Sequence, residues 1–147
     1  MPREHATIKM SFEELAKFVS AETRCIVGTL DEDGGPWGDA ASCVFRDERL
    51  YFRVPMATRS LRNLDRDDRV CCTIESHPAG SEYYTIKAAI FHGRAARAES
   101  ETAQELAGVF AGLPDPVDGE AQGPIFSVGV DDVVSFDFAK IVRRFEE

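Results

Sequence analysis

The sequence has no long hydrophobic run and little positive charge. In its 147 residues, no apolar stretch approaches the roughly 20 residues that a helix needs to span a bilayer. The N-terminal segment MPREH has no apolar signal core behind its charges, so we expect a cytoplasmic protein, neither exported nor membrane-embedded. Lys and Arg number 17 against 26 Asp and Glu, and this net charge of −9 disfavours nucleic acid and anionic membranes as partners.

The residues that usually bind metals and nucleotides are also few and scattered. No C-x-x-C pair is present, and the three histidines do not cluster with the cysteines at zinc-like spacing, so we expect no metal site. Neither a G-x-G-x-x-G sequence nor a P-loop occurs, which excludes the standard nucleotide-binding loops. We expect the four cysteines to be reduced and to act as small hydrophobic residues: Cys25, Cys43, Cys71 and Cys72.

The sequence does contain short β patterns separated by turns and by amphipathic helices. A capping box of Ser11 and Glu14 begins the first predicted helix. A D-G turn within 31–36 joins two strands, and strict alternation of apolar residues over 49–54 marks a third. The predicted elements are helices over 11–20, 58–65 and 102–112, and strand segments over 24–30, 37–46, 49–54, 69–75, 82–97, 125–130 and 133–138.

This order of elements predicts a mainly β fold with peripheral helices. About six antiparallel strands with helices inserted between them are incompatible with a doubly wound parallel sheet. Closing the strands into a barrel would remove the open sheet edges. We therefore expect a single domain over 1–147, built as a six-stranded antiparallel closed or split β-barrel.

Positive charge is concentrated in one segment of this acidic chain. The stretch RVPMATRSLRN over 53–63 holds three arginines and no acid, and it covers the first turn of a predicted helix. Arginine at this position opposes the helix dipole, which favours acids at the N-terminus. A bound phosphate would account for the pattern, because backbone N–H groups, the hydroxyls of Thr58 and Ser60 and the guanidinium of Arg59 would converge on it.

A second interpretation needs no ligand. The helix would be a solvated one whose arginines form ion pairs with Asp65 and Asp67, a pairing that helical spacing permits. The residue pattern alone leaves both interpretations open.

The segment from Phe52-Arg53-Val54 through 58–64 (TRSLRNL) resembles the pyridoxamine 5'-phosphate oxidase-like family of FMN-binding split barrels. The similarity extends from the helix at residue 12 to the strand ending at residue 138. In that family a strand leads into a Ser-Arg-Lys type sequence that holds the FMN phosphate. The resemblance implies that Thr58 takes the hydroxyl position and Arg59 the arginine position. Ser60 stands where the family often has lysine, and Arg62, one turn on, is the candidate replacement.

The same resemblance assigns the rest of the cofactor site. It implies that Ala41, Ser42 and Cys43 lie along the isoalloxazine ring, and that Arg53 and Val54 flank the ribityl chain and the phosphate. Small residues over 40–43 are consistent with close approach of a flat ring. Family members are typically homodimers with two cofactor sites at the interface, so we expect a homodimer whose partner subunit supplies some ligands.

The predicted function is therefore that of an FMN-binding oxidoreductase acting on a small molecule. No catalytic residue is predicted, because the flavin itself carries the redox chemistry. Pyridoxamine phosphate is not the expected substrate, since 140–147 lacks the tryptophan and arginine-rich closing segment of the true oxidases. Two alternatives on the same fold remain: a deazaflavin-dependent reductase, which the net charge of −9 disfavours, and a haem-binding or non-catalytic flavin-binding protein with His77 or His92 as the candidate haem ligand.

Overall fold

The first helix is fixed at its N-terminus by the predicted capping box. In the computed structural model, which describes residues 8–113 and 122–146, α1 spans Phe12–Ser20. Ser11 Oγ accepts a hydrogen bond from the Glu14 N–H at 3.2 Å, and Glu14 Oε1 accepts one from the Ser11 N–H at 3.0 Å. Glu14 also pairs with Lys140 of the C-terminal helix at 2.7 Å, and this contact ties the two ends of the described chain together.

The strands form one curled antiparallel sheet, which confirms the mainly β split-barrel prediction. The strands are β1 (Arg24–Leu30), β2 (Pro36–Arg46), β3 (Arg49–Arg53), β4 (Arg69–Ser76), β5 (Lys87–Arg94), β6 (Ala96–Arg97), β7 (Ile125–Gly129) and β8 (Asp132–Asp137). Their order in the sheet is β6-β7-β3-β2-β1-β4-β5-β8, and all described pairings are antiparallel. The curl packs β5 closely against β7 at Gly93, where an added Cβ would lie 3.3 Å from Val128 Cγ2.

The predicted count of six strands is wrong, since the described sheet has eight. The segment predicted as one strand over 82–97 divides into a 3-10 turn at Tyr83–Thr85, β5 and β6. After Arg94 the chain leaves β4 and pairs with β7 instead. The two segments predicted after residue 124 are separate strands at opposite ends of the sheet, because β7 pairs with β3 and β8 pairs with β5.

Three further helices lie around the sheet. Two match predicted helices, with small shifts of their ends, and the third, at the C-terminus, was not predicted. None of the helices in the described ranges combines the length and hydrophobicity that crossing a bilayer requires. These helices are α2 (Arg59–Arg66), α3 (Ser100–Ala111) and α4 (Ala139–Glu146).

The core fills the inside of the curled sheet. Phe52, Phe91 and Leu50 are fully buried there, and Val19 of α1 closes one side. Three cysteines belong to this core, as predicted, and all four are free. The pKa of the Cys43 thiol is raised by its hydrogen bond with another buried cysteine and by burial, so the thiol is protonated and unreactive at neutral pH.

Candidate functional site

A small cavity lies where the end of β3 meets the start of α2. Its volume is about 60 Å³, enough for a compact group such as a phosphate but not for a whole cofactor. The residues that line the cavity lie up to 33 positions apart in the sequence. Five predicted site residues line it: Ala41, Arg53, Val54, Thr58 and Ser60.

Thr58 shapes the cavity by beginning α2. Its backbone is extended, its Oγ1 accepts a hydrogen bond from the Leu61 N–H at 3.3 Å, and it donates its own proton to the Pro55 carbonyl at 2.8 Å. The residue before it, Ala57, has a φ of +58°, which turns the chain sharply from β3 into the helix. The Thr58 hydroxyl therefore makes both of its hydrogen bonds with the backbone, and Thr58 affects the cavity mainly by fixing the N-terminus of α2.

Arg53 brings a buried positive charge to the cavity. Its residue surface is 8% exposed, and its Nη1 donates a hydrogen bond to Gln122 Oε1 at 3.2 Å. Its guanidinium carbon lies 5.2 Å from the centre of the Phe110 ring, a favourable cation–π distance. Its Nε is buried and has no hydrogen-bond partner. Because an unpaired buried donor costs about 1–3 kcal/mol, this atom favours a ligand that supplies an acceptor.

Residues 122–124 hold Arg53 in place through a close backbone approach. The Pro124 carbonyl accepts a hydrogen bond from the Val54 N–H at 3.1 Å. A Cβ on Gly123 would lie 1.7 Å from the Val54 carbonyl oxygen, so only glycine permits this contact. The contact places Gln122 next to Arg53.

Ser60 faces the cavity, where its hydroxyl meets a carboxylate. Ser60 is 2% exposed, and its Oγ donates a hydrogen bond to Asp39 Oδ2 at 2.5 Å. The same oxygen accepts a bond from Trp37 Nε1 at 3.0 Å. Asp39 also lines the cavity, so the site contains an acid that the sequence prediction did not include.

Arg59 points to the other side of α2. It forms two hydrogen bonds with Asp31, at 2.9 Å and 2.7 Å, and its guanidinium stacks on the Trp37 ring at 4.1 Å. Hydrogen bonds from Asn63 and Arg59 lower the pKa of Asp31 below its usual value. The ligand-free interpretation of α2 placed Asp65 and Asp67 as the partners of its arginines. Instead, these two aspartates pair with Arg97 and Arg69.

Arg62 lies beside Arg59 in a separate, open groove. The groove has a volume of about 520 Å³ and runs between α2 and the β1–β2 turn. The Arg62 guanidinium is exposed and donates to the Ala57 carbonyl at 3.2 Å. Arg66 also lines the groove and donates to the Leu30 carbonyl at 2.7 Å. The structure therefore separates the predicted phosphate ligands, with Ser60 in the cavity and the two predicted arginines, Arg59 and Arg62, in the groove.

The three residues predicted to bind the flavin ring, Ala41, Ser42 and Cys43, also lie in different places. Alternation along β2 turns Cys43 into the core, where its Sγ is 4.0 Å from the Glu22 carbonyl. Ser42 faces the opposite side of the sheet and accepts a hydrogen bond from Arg24 at 3.0 Å. Only Ala41 of the three reaches the cavity.

Neither candidate haem ligand lies at these sites. His77 is exposed in the loop after β4, and His92 is half-buried on β5 opposite Cys71 and Asp132. Neither residue lines the cavity or the groove.

The curled antiparallel sheet and the cavity at the strand–helix junction define a split-barrel protein with an anion-sized site. The chain belongs to the pyridoxamine 5'-phosphate oxidase family, whose model matches residues 11–115. A comparison with curated protein sequences found no match.

Solved structures with the same fold come from several bacteria. The structure is similar to a conserved hypothetical protein from Mycobacterium tuberculosis (TM-score 0.76, 23% identity, covering 93% of this chain and 91% of that one). It is similar to an FAD-binding protein from Mesorhizobium loti (TM-score 0.66, 17% identity, 86% and 94%). It is also similar to the heme storage protein of Vibrio cholerae (TM-score 0.62, 15% identity, 84% and 94%). At these identities the likeness establishes the fold.

Proposed function

We propose that the protein is a flavin-dependent oxidoreductase that binds FMN and acts on a small molecule in the cytoplasm. The observation that carries this proposal is the buried Arg53 Nε, which has no partner and belongs to a cavity lined by predicted phosphate-site residues. A phosphate oxygen would satisfy this donor through a charge-assisted hydrogen bond. The FAD-binding protein among the structural relatives supports a flavin. Four free cysteines are consistent with a reducing compartment.

The residues present fit the phosphate of a flavin nucleotide, and the proposal gives each a binding role. When bound, the flavin would supply the transfer of hydride or electrons. Arg53 would hold the phosphate, and the N-terminus of α2, fixed by Thr58, would direct its free N–H groups toward it. Ala41 is small, so β2 leaves room for a flat ring beside its backbone.

The proposal includes a homodimer, which a row of four apolar residues and one threonine on the outer face of the sheet supports. Antiparallel pairing aligns one residue from each of five neighbouring strands across the outer face. Ile26 is 51% exposed and Val134 is 42% exposed, which is unusual for large apolar side chains on a sheet. The row consists of Ala40, Ile26, Thr73, Ile90 and Val134.

One residue connects this row with the cavity. Ala40 is a member of the row and also lines the cavity. A second copy of the chain packed on the outer face would therefore contact a residue of the cavity lining. In such a homodimer the partner subunit would supply the remaining contacts to the cofactor.

A deazaflavin coenzyme, the alternative on the same fold, has less support. A long acidic tail requires a basic surface, whereas the groove beside the cavity is lined by Arg59, Arg62 and Arg66 and equally by Asp31, Glu32 and Asp33. Haem is less favoured, since neither candidate histidine lines the cavity or the groove.

The visible absorption spectrum distinguishes these cofactors. The purified protein is titrated with FMN, with a deazaflavin and with haem, and riboflavin serves as the control that lacks a phosphate. We expect a flavin spectrum that shifts and saturates at one FMN per subunit, with weaker binding of riboflavin. A Soret band that disappears when His77 or His92 is replaced would overturn the proposal in favour of haem.

A further inference from the structure

We propose that Asp31 and Asp39 compete with the flavin phosphate for Arg59 and Ser60, and so limit how tightly this protein holds FMN. This inference rests on the proposed function. It concerns two acids that the sequence prediction did not assign to the site.

Each acid accepts hydrogen bonds from a residue that was predicted to bind the phosphate. Asp31 accepts two hydrogen bonds from Arg59, at 2.9 Å and 2.7 Å. Asp39 accepts the Ser60 hydroxyl proton at 2.5 Å. Both acids come from the β1–β2 hairpin, one from the turn and one from the strand that follows it. A single hairpin therefore supplies the carboxylates that hold both of these predicted phosphate donors, one in the groove and one in the cavity.

The charges that line the cavity determine how strongly this competition weakens FMN binding. Arg53 is the only cation among the cavity-lining residues, and Asp39 is the only anion. A phosphate monoester such as that of FMN carries a charge of about −1.5 to −2 at pH 7. Asp39 would repel it across a short, partly desolvated distance, where charge–charge interactions are strong. A phosphate in a diester or pyrophosphate linkage carries one negative charge and would be repelled less.

The hydrogen-bond network allows Arg59 and Ser60 to leave the two acids and bind a phosphate instead. If Arg59 turned to a phosphate, Asp31 would keep the Asn63 Nδ2 donor at 3.0 Å. If Ser60 did the same, Asp39 would keep the Trp37 Nε1 donor at 3.0 Å. Neither carboxylate would be left without a partner. The Arg59 side chain is 49% exposed, so it can reorient without unpacking the core.

The test compares FMN affinity among four proteins: wild type, Asp31→Asn, Asp39→Asn and Glu32→Gln. Glu32→Gln is the matched control, because it removes the same charge from the same hairpin but forms neither of these hydrogen bonds. We expect both asparagine variants to lower the Kd for FMN at least about fivefold relative to Glu32→Gln, since each also weakens the acid's hold on Arg59 or Ser60. The Kd for riboflavin should stay the same in all four proteins, and that for FAD should fall less than that for FMN. Circular dichroism checks that each variant is folded.

The outcomes separate this inference from the proposed function. If wild type binds FMN and the asparagine variants behave like Glu32→Gln, the competition is wrong and the proposed function stands. If FMN binds only after an acid is neutralised, the competition is supported in its strongest form. If no folded variant binds any flavin, both proposals are overturned together.

Discussion

Arg59 stacks its guanidinium on the ring of Trp37, 4.1 Å from the ring centre, and the indole N–H of Trp37 in turn donates to Asp39. Trp37 thus contacts Arg59, which pairs with Asp31 in the groove, and Asp39, which lines the cavity. It connects the two parts of the candidate site, and it is the only tryptophan in the chain.

This arrangement makes Trp37 a reporter of cofactor binding. We expect FMN to quench the intrinsic fluorescence of the protein, because a phosphate in the cavity would disturb the contacts of Trp37 with Arg59 and Asp39. The quenching curve should give the same Kd as the absorption titration. Trp37→Phe is the control, since it removes the signal while leaving the cavity lining intact. An absorption change without quenching would contradict the proposed position of the phosphate.

Arg53 should contribute more to FMN binding than any other arginine of the site. Arg53→Met keeps the volume of the side chain but removes the buried donor Nε, so we expect FMN affinity to fall by about 2–3 kcal/mol. Arg59→Ala should cost less, because Arg59 lies in the groove and must leave Asp31 before it can reach the phosphate. Arg62→Met is the control, because Arg62 lies in the groove and not in the cavity. Calorimetric titration measures all three, and equal losses for Arg53 and Arg62 would refute the assignment.

Local pattern was sufficient for most of the fold. β1 spans Arg24–Leu30 as predicted, because an apolar segment between turn signals has few alternatives. The segment 82–97 was predicted as one strand since aromatic and β-branched residues favour strands. Its first part is a 3-10 turn, closed by backbone hydrogen bonds from Thr85 to Glu82 and from Ile86 to Tyr83. Such a turn leaves no clear signal in composition.

The C-terminal helix was missed for a related reason. The strand prediction extended to residue 138 and so included Asp137. In the structure Asp137 ends β8, and its Oδ1 accepts a hydrogen bond at 3.0 Å from the N–H of Ala139, the first residue of α4. The strand and the helix are thus separated by one residue, and periodicity assigned the whole junction to the strand.

The candidate site was predicted where its residues are close in sequence and missed where they are distant. Ser60 and Thr58 follow from one short motif. Asp39 and Asp31 lie 21 and 28 positions away from the residues that they bind. A prediction from helical spacing treats one element at a time, so it offered only aspartates close in sequence as partners of Arg59. The register of the hairpin against α2 decides these pairs, and that register is a property of the folded sheet.

Acid should destabilise the protein partly through Glu14. The hydrogen bond from Lys140, and then that from the Ser11 N–H, lower the pKa of Glu14 from 4.5 to about 2. A carboxyl group whose pKa is lower in the folded state stabilises the fold above its unfolded pKa and loses this effect as the pH falls toward the folded pKa. We therefore expect the difference in Tm between wild type and Glu14→Gln to shrink between about pH 4.5 and pH 2. Glu13→Gln is the control, since Glu13 lies beside Glu14 but does not pair with Lys140. A difference that does not change with pH would contradict this role of the ion pair.

The oligomeric state should depend on the apolar row across the outer face of the sheet. Ile26 lies between Ala40 and Thr73 in that row, so Ile26→Lys would place a charge in the middle of the proposed interface. Burying an unpaired charge is costly, and we expect the dimer to dissociate at least about tenfold more readily in analytical ultracentrifugation. Val109→Lys is the matched control, because Val109 is also an exposed apolar residue but lies on α3.

Because Ala40 belongs to both the row and the cavity, loss of the dimer should also weaken FMN binding. A dimeric Ile26→Lys variant would show that the row is not the interface. A monomeric variant that binds FMN as tightly as wild type would show instead that one subunit holds the cofactor alone.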